Sequence, residues 1–168
     1  MKTLTKFSFN PKDGKVLARW TEPSAEGGRD QYELTSTDPP HPDLVDALEA
    51  LAPVVAEACE LRDTNGRVYA DQLAVRGLTL KDTLDADGGD AEGVTITALR
   101  ELPWSNAPLV LNTPFAPLDS LPHPRAERLV QAVAAEAVAY VNGKRLQADL
   151  FAGDGTGRSV TFGRGAQA

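Results

Sequence analysis

The stretch His41–Glu60, HPDLVDALEALAPVVAEACE, decides the fold. On a helical wheel Leu44, Leu48, Leu51, Val55 and Cys59 fall on one side, and Asp43, Asp46, Glu49, Glu57 and Glu60 on the other. Such a helix buries one face and leaves an acidic one in water. Pro42 suits its first turn, where a missing N–H costs nothing, and Pro53 predicts a kink or a restart. The entry Pro40-His41-Pro42 recurs as Pro122-His123-Pro124, and the second copy also opens a helical run, with Leu129, Val130, Val133, Ala137 and Tyr140 on one face. Asn142-Gly143 stops that run. Its outer side, Arg128, Gln131, Ala135, Val138 and Ala139, is poor in charge, which predicts packing on the first helix or, in a homo-oligomer, on another subunit.

Upstream of the first helix the pattern is that of strands. Thr3–Phe9 alternates, with Thr3, Thr5, Phe7 and Phe9 on one face and Leu4, Lys6 and Ser8 on the other. Asn10-Pro11-Lys12-Asp13-Gly14 is a turn, Lys15–Thr21 a returning strand, and Gln31–Thr37 a third one. Downstream, Val68–Leu80 contains strand-like pieces interrupted by Gly77, Lys81–Gly93 reads as an acidic, Gly-rich loop, and Val94–Leu102 and Leu109–Asn112 read as strands. Thr113–Pro124 is proline-rich and extended, and Lys144–Phe151 adds a short helical turn.

These readings predict an α+β fold, a mostly antiparallel curved sheet with two main helices on one face. Residues 1–151 form one domain with halves 1–61 and 62–143, followed by a Gly-rich tail, 152–168. The plan βββα is repeated loosely. Only the helix entry and some apolar spacing match between the halves, so coincidence is preferred over duplication as the source of this pseudo-repeat.

Charge narrows the function classes. The 168 residues carry a net −7, of which residues 1–61 supply −5. That opposes binding of duplex DNA mainly through phosphates, which needs a concentrated basic field, while leaving room for a local groove. The single Cys59 forms no intramolecular disulfide, Met1–Asn10 lacks an apolar signal core, and no 18-residue apolar run occurs; a soluble cytoplasmic protein that spans no membrane is expected.

Motifs for chemistry fail on detail. Gly153–Ser159, GDGTGRS, lacks the first Gly and the Lys of a phosphate-binding loop. Asp82, Asp85, Asp87, Asp90 and Glu92 do not match a calcium loop, since Asp90 and Ile96 stand where Gly and an acid belong. His41, His123 and one distant Cys form no zinc set, and no nucleophile elbow occurs. No catalytic residue, metal or cofactor is therefore expected. Aromatics on proline-braced loops are the more interesting lead: Trp104 in LPWSNAP and Phe115 in NTPFAP, suited to anchoring a protein or stacking unpaired bases, or, on the plainer reading, to plugging the ends of the core. Trp20 with Lys6, Lys15 and Arg19 offers a second surface, weakened because Trp20 shares a face with Val16 and Ala18 while Arg19 points the other way.

The segments STDPPHPDLVDALEALAPVVAEACEL, GVTITALRELPWSNAPLVLNTPF and YVNGKRLQADLF together span most of residues 30–151. In this combination the chain resembles small acidic proteins of unassigned function encoded in tailed-phage and prophage genomes. The resemblance implies an accessory factor of phage DNA replication and recombination and brings no catalytic residues. The expectation is a non-catalytic binding protein that contacts single-stranded DNA or a DNA-processing enzyme through Trp104 and Phe115, with Lys144, Arg145, Arg158 and Arg164 as the nearby positive charge. The competing class is an acidic inhibitor or sequestering protein aimed at a host enzyme or defence system through Asp43, Asp46, Glu49 and Glu57. A small enzyme without a recognisable motif is the third.

Overall fold

Two antiparallel meanders meet along a central seam. The first consists of β1 (Thr3–Asn10), β2 (Lys15–Pro23) and β3 (Arg29–Ser36), and the second of β4 (Leu73–Leu84), β5 (Asp90–Arg100) and β6 (Leu109–Asn112). In this computed structural model, which describes residues 1–84 and 88–146, the sheet order is β3-β2-β1-β4-β5-β6, with a short β7 (Ala116–Pro117) also on β5. Every pairing is antiparallel and the sheet stays open. Helices α1 (Pro42–Glu49) and α2 (Ala52–Ala58) follow the first meander and α3 (Ala126–Val141) the second. The expected α+β architecture is present, and in topology the βββα plan is repeated.

The seam is where strict alternation breaks. Leu4 and Phe7 are three residues apart and should face opposite sides, yet both are buried, at 4% and 1% exposure. Thr5 is an extra residue in β1: Leu4 faces Trp20 and Lys6 faces Arg19 across the β1–β2 ladder, so the bulge returns Phe7 to the core side. This replaces the expected face of Thr3, Thr5, Phe7 and Phe9. Arg76 does the same in β4, between Val75 and Leu78. Phe7 and Leu78 face each other at the seam, so each bulge stands two residues ahead of the same cross-strand pair. Gly77 does not interrupt β4 as its composition suggested; it lets the strands close up, since a Cβ there would lie 2.1 Å from the Phe7 carbonyl oxygen.

Residues 81–84 and 90–93 of the acidic segment are also strand where a loop was expected. Lys81 and Asp82 pair with Gly93 and Glu92, because β4 and β5 continue their ladder as far as Leu84 and Asp90. Asp85 and Asp87 lie outside the described residues.

The opening helix restarts at its proline. α1 ends at Glu49, Leu51 caps α2, and Pro53 occupies the first turn of α2, where it needs no donor. The apolar stripe survives the break, with Leu44, Leu48, Leu51 and Val55 buried and Cys59 half-buried; burial raises the thiol pKa. Both histidines act at helix entrances. His41 Nδ1 accepts from the Asp43 N–H at 3.3 Å, and His123 Nδ1 from the Arg125 N–H at 3.2 Å.

α3 lies beside α1 and over β1, and buries Ala126, Val130, Val133, Ala137 and Tyr140. The Tyr140 ring meets Phe7 edge-on at 6.5 Å, and its hydroxyl donates to the Asp38 carbonyl at 2.7 Å. On the outer side Arg128, Gln131 and Ala135 are exposed, whereas Val138 is half-buried and packs on the core. After Gly143, at φ +106°, the chain doubles back. The expected helical turn from Lys144 is replaced, in its described part, by a bridge of Arg145 to Pro40 and a bond from the Leu146 N–H to the Pro39 carbonyl. Residues 147–151 and the tail 152–168, including Arg158 and Arg164, lie outside the described residues. Among the described residues no helix is long and apolar enough to cross a membrane.

Candidate functional site

All three helices pack on one face of the sheet, against Phe7, Val16, Ala18, Leu78, Val94 and Ile96. Alternation sends their neighbours Lys6, Arg19, Thr79 and Thr95 to the opposite face, which carries no helix among the described residues. Two grooves mark that face at diagonally opposite ends. One, of about 690 Å³, runs past the start of β1 and β3 and the ends of β2 and β4. The other, of about 710 Å³, runs past the starts of β4 and β6 and the end of β5. Exchanging the two meanders exchanges the two grooves.

The second groove adjoins a run of exposed large apolar side chains. Leu73, Ala74, Leu99, Leu102 and Pro108 line it together with Arg76, the bulge residue, whose Nε is buried without a hydrogen-bond partner among the described residues. Trp104 stands in the same β5–β6 loop at 82% exposure. β6 follows as the sheet's edge, with Leu109 and Val110 exposed and Leu111 turned to the core. Beyond it, Thr113 is buried and completes the ladder with its side chain. Its Oγ1 accepts from the Ile96 N–H at 2.9 Å, while its own N–H donates to the Ile96 carbonyl. That anchoring leaves Phe115, two residues on, 47% exposed.

Trp104 and Phe115 thus flank β6 from its two ends. Leu109 pairs with Arg100 and Ala116 with Val94, so the flanks are six residues apart along β5, about 20 Å. Of the cations expected beside them, Lys144 and Arg145 are elsewhere. Lys144 Nζ bonds Asp43 at 2.7 Å and Glu136 at 2.8 Å, on α1 and α3. The hydrogen bond from Lys144 holds the Asp43 carboxyl below its ordinary range, and the same pair raises Lys144. Arg145 pairs with Asp38 and lies over the Tyr140 ring at 4.9 Å. Both residues strap the end of α3 to the β3–α1 connection.

The acidic surface is divided as well. Asp43 is engaged by Lys144, and Glu57 is half-buried on the separate helix α2. Asp46 and Glu49 are exposed on α1 and form no ion pair among the described residues. Among the described residues no group of three His, Cys, Asp or Glu side chains gathers to hold a metal.

The chain matches no protein-family model, no curated protein and no solved structure. What sequence reasoning missed is β6 itself as a surface. The sequence LVLN reads as a short strand, and only the sheet order makes it an edge.

Proposed function

We propose that this chain is a non-catalytic accessory binding protein of phage-type DNA replication or recombination, which docks a DNA-processing protein on its β6 edge. One observation carries the docking surface. Of the seven large apolar side chains exposed among the described residues, four, Trp104, Leu109, Val110 and Phe115, fall within twelve consecutive positions around that edge. Monomeric proteins rarely leave such apolar side chains grouped unless something covers them. An edge strand also offers unpaired backbone N–H and C=O groups to an incoming strand. Trp104, on a loop braced by Pro103 and Pro108, is suited to insert into a pocket on that partner at little entropic cost. The replication and recombination setting comes from the phage resemblance.

The test is surface plasmon resonance of the immobilised chain against a panel comprising a single-strand-binding protein, a recombinase, a helicase and a primase. Capture of one member, weakened at least tenfold by Trp104→Ala and by Val110→Lys, supports the reading. Capture that survives both substitutions but is lost on charge reversal at Asp46 and Glu49 replaces it with the acidic-inhibitor class. No capture by any member removes the proposed setting.

A further inference from the structure

The first groove carries charge that the fold does not use. Lys6, Arg19, Arg29 and Lys81 line it, on a chain whose net charge is −7. Alternation puts Lys6 and Arg19 opposite each other on the helix-free face, Glu33 opposite Arg19, Arg29 four residues before Glu33, and Lys81 two after Thr79. Arg19 is neutralised by its ion pair with Glu33. Lys6, Arg29 and Lys81 form no ion pair among the described residues. Hydroxyl and amide donors, Thr3, Thr5, Thr21, Thr79 and Gln31, fill the space between them.

The spacing of these cations selects the ligand. They stand on β1, β3 and β4, so the set crosses three interstrand steps, about 14 Å. One phosphate cannot reach all three, whereas successive phosphates of an extended chain can. Trp20 and Tyr32 also line the groove, from the other parity and stacked on each other, and a ring face stacks on any base alike. The remaining carboxylates, Asp82 and Glu92, oppose each other across β4 and β5, also on the other parity, and close the groove at its Lys81 end. We propose that this groove holds the phosphate backbone of a single nucleic-acid strand, without regard to sequence. The site is distinct from the β6 edge, so either assignment can fail without the other.

The experiment is fluorescence anisotropy of a labelled oligothymidine at 50 mM salt, with wild-type protein, Lys6→Glu/Lys81→Glu, Lys6→Gln/Lys81→Gln and Trp104→Ala. Wild-type protein should bind in the micromolar range, on the order of non-specific affinities, and lose about 20-fold between 50 and 200 mM salt if three phosphates are neutralised. The Glu pair should lose at least about tenfold and the Gln pair less, by removal of two of three charges. Trp104→Ala should bind as wild type. If the Glu pair does not fold, the Gln pair and the salt slope still decide. Absence of wild-type binding at 50 mM salt overturns the proposal, as does loss confined to Trp104→Ala. Displacement by millimolar inorganic phosphate would make this a simple anion site, and equal affinity for duplex would exclude single-strand selection; each outcome overturns it.

Discussion

Trp20 and Trp104 occupy corresponding places in the two meanders. Each lies at the end of a middle strand, β2 or β5, beside the groove on its own side of the seam. Trp20 is half-buried: its indole stacks on Tyr32 at 5.7 Å and 15°, and its Nε1–H donates to Glu22 at 2.8 Å. Trp104 is 82% exposed. The same topology is closed by its own side chains at one end and left open at the other. In the first meander the neighbouring edge strand supplies Tyr32, a ring at the register position opposite Trp20. In the second, β6 is only four residues long and begins nine residues after Arg100, so no strand residue stands opposite Trp104.

The contrast can be broken at several levels. Gly77→Ala should have the largest effect, because the new Cβ would lie 2.1 Å from the Phe7 carbonyl oxygen and 2.8 Å from the Ser8 Cα. Backbone atoms on both sides leave nothing to yield but the seam, so the expected loss is about 3 kcal/mol or more, read by chemical denaturation. A wild-type midpoint would mean that the meanders do not meet as described.

Trp20→Ala should cost about 2 kcal/mol, through the stacked pair, the buried ring surface and the bond to Glu22. Trp104→Ala should change stability by less than about 0.5 kcal/mol, since its ring is in water. Equal losses in thermal melts of the two variants would abolish the distinction between a closed and an open end. Thr113→Val lies between them: it leaves the Ile96 N–H without its acceptor beside β6, at about 1–2 kcal/mol. That variant should also loosen the position of Phe115 and weaken partner capture, which the same surface-resonance measurement checks.

Glu92→Gln is the smallest. Burial, and secondarily the Asp82 charge across the ladder, raise the Glu92 pKa above 4.5. A carboxyl with a raised pKa holds its proton more tightly when folded, so its ionisation lowers stability as pH rises from 4.5 through the folded value. The Gln variant should therefore gain stability at pH 7, by less than about 1 kcal/mol after solvent screening, and none below about pH 4. Melting curves at the two pH values check it, and a gain that persists in acid would refute the linkage.

Much of this architecture was legible from periodicity. Leu44, Leu48, Leu51 and Val55, and Val130, Val133, Ala137 and Tyr140, are buried as their spacing predicts, because a helix's own geometry decides which side chains share a face. The Asp13-Gly14 turn, with Gly14 at φ +69° and Asp13 accepting from the Lys15 N–H at 2.9 Å, was equally local. Thr5 and Arg76 could not be recognised as bulges, since a bulge is a mismatch between two strands and has no periodicity of its own. The strands at 81–84 and 90–93 were hidden by their polarity, which marks a ladder running into solvent as well as it marks a loop.

The candidate surfaces divide in the same way. Trp104 and Phe115 were legible as aromatics on proline-braced loops, but their exposure was not, since the same rings could have plugged the ends of the core. The fate of Lys144 and Arg145 was not, since Asp43 and Asp38 lie more than a hundred residues away in the chain. By itself the sequence determined the main helices and most of the strands, the acidic balance and the positions of the aromatic loops, all properties of neighbours along the chain. Tertiary structure decided which cations are consumed, which have no ion pair among the described residues on the open face, and that Leu109–Asn112 is an edge. Those are properties of strand order and register, and they arise only when distant segments pair.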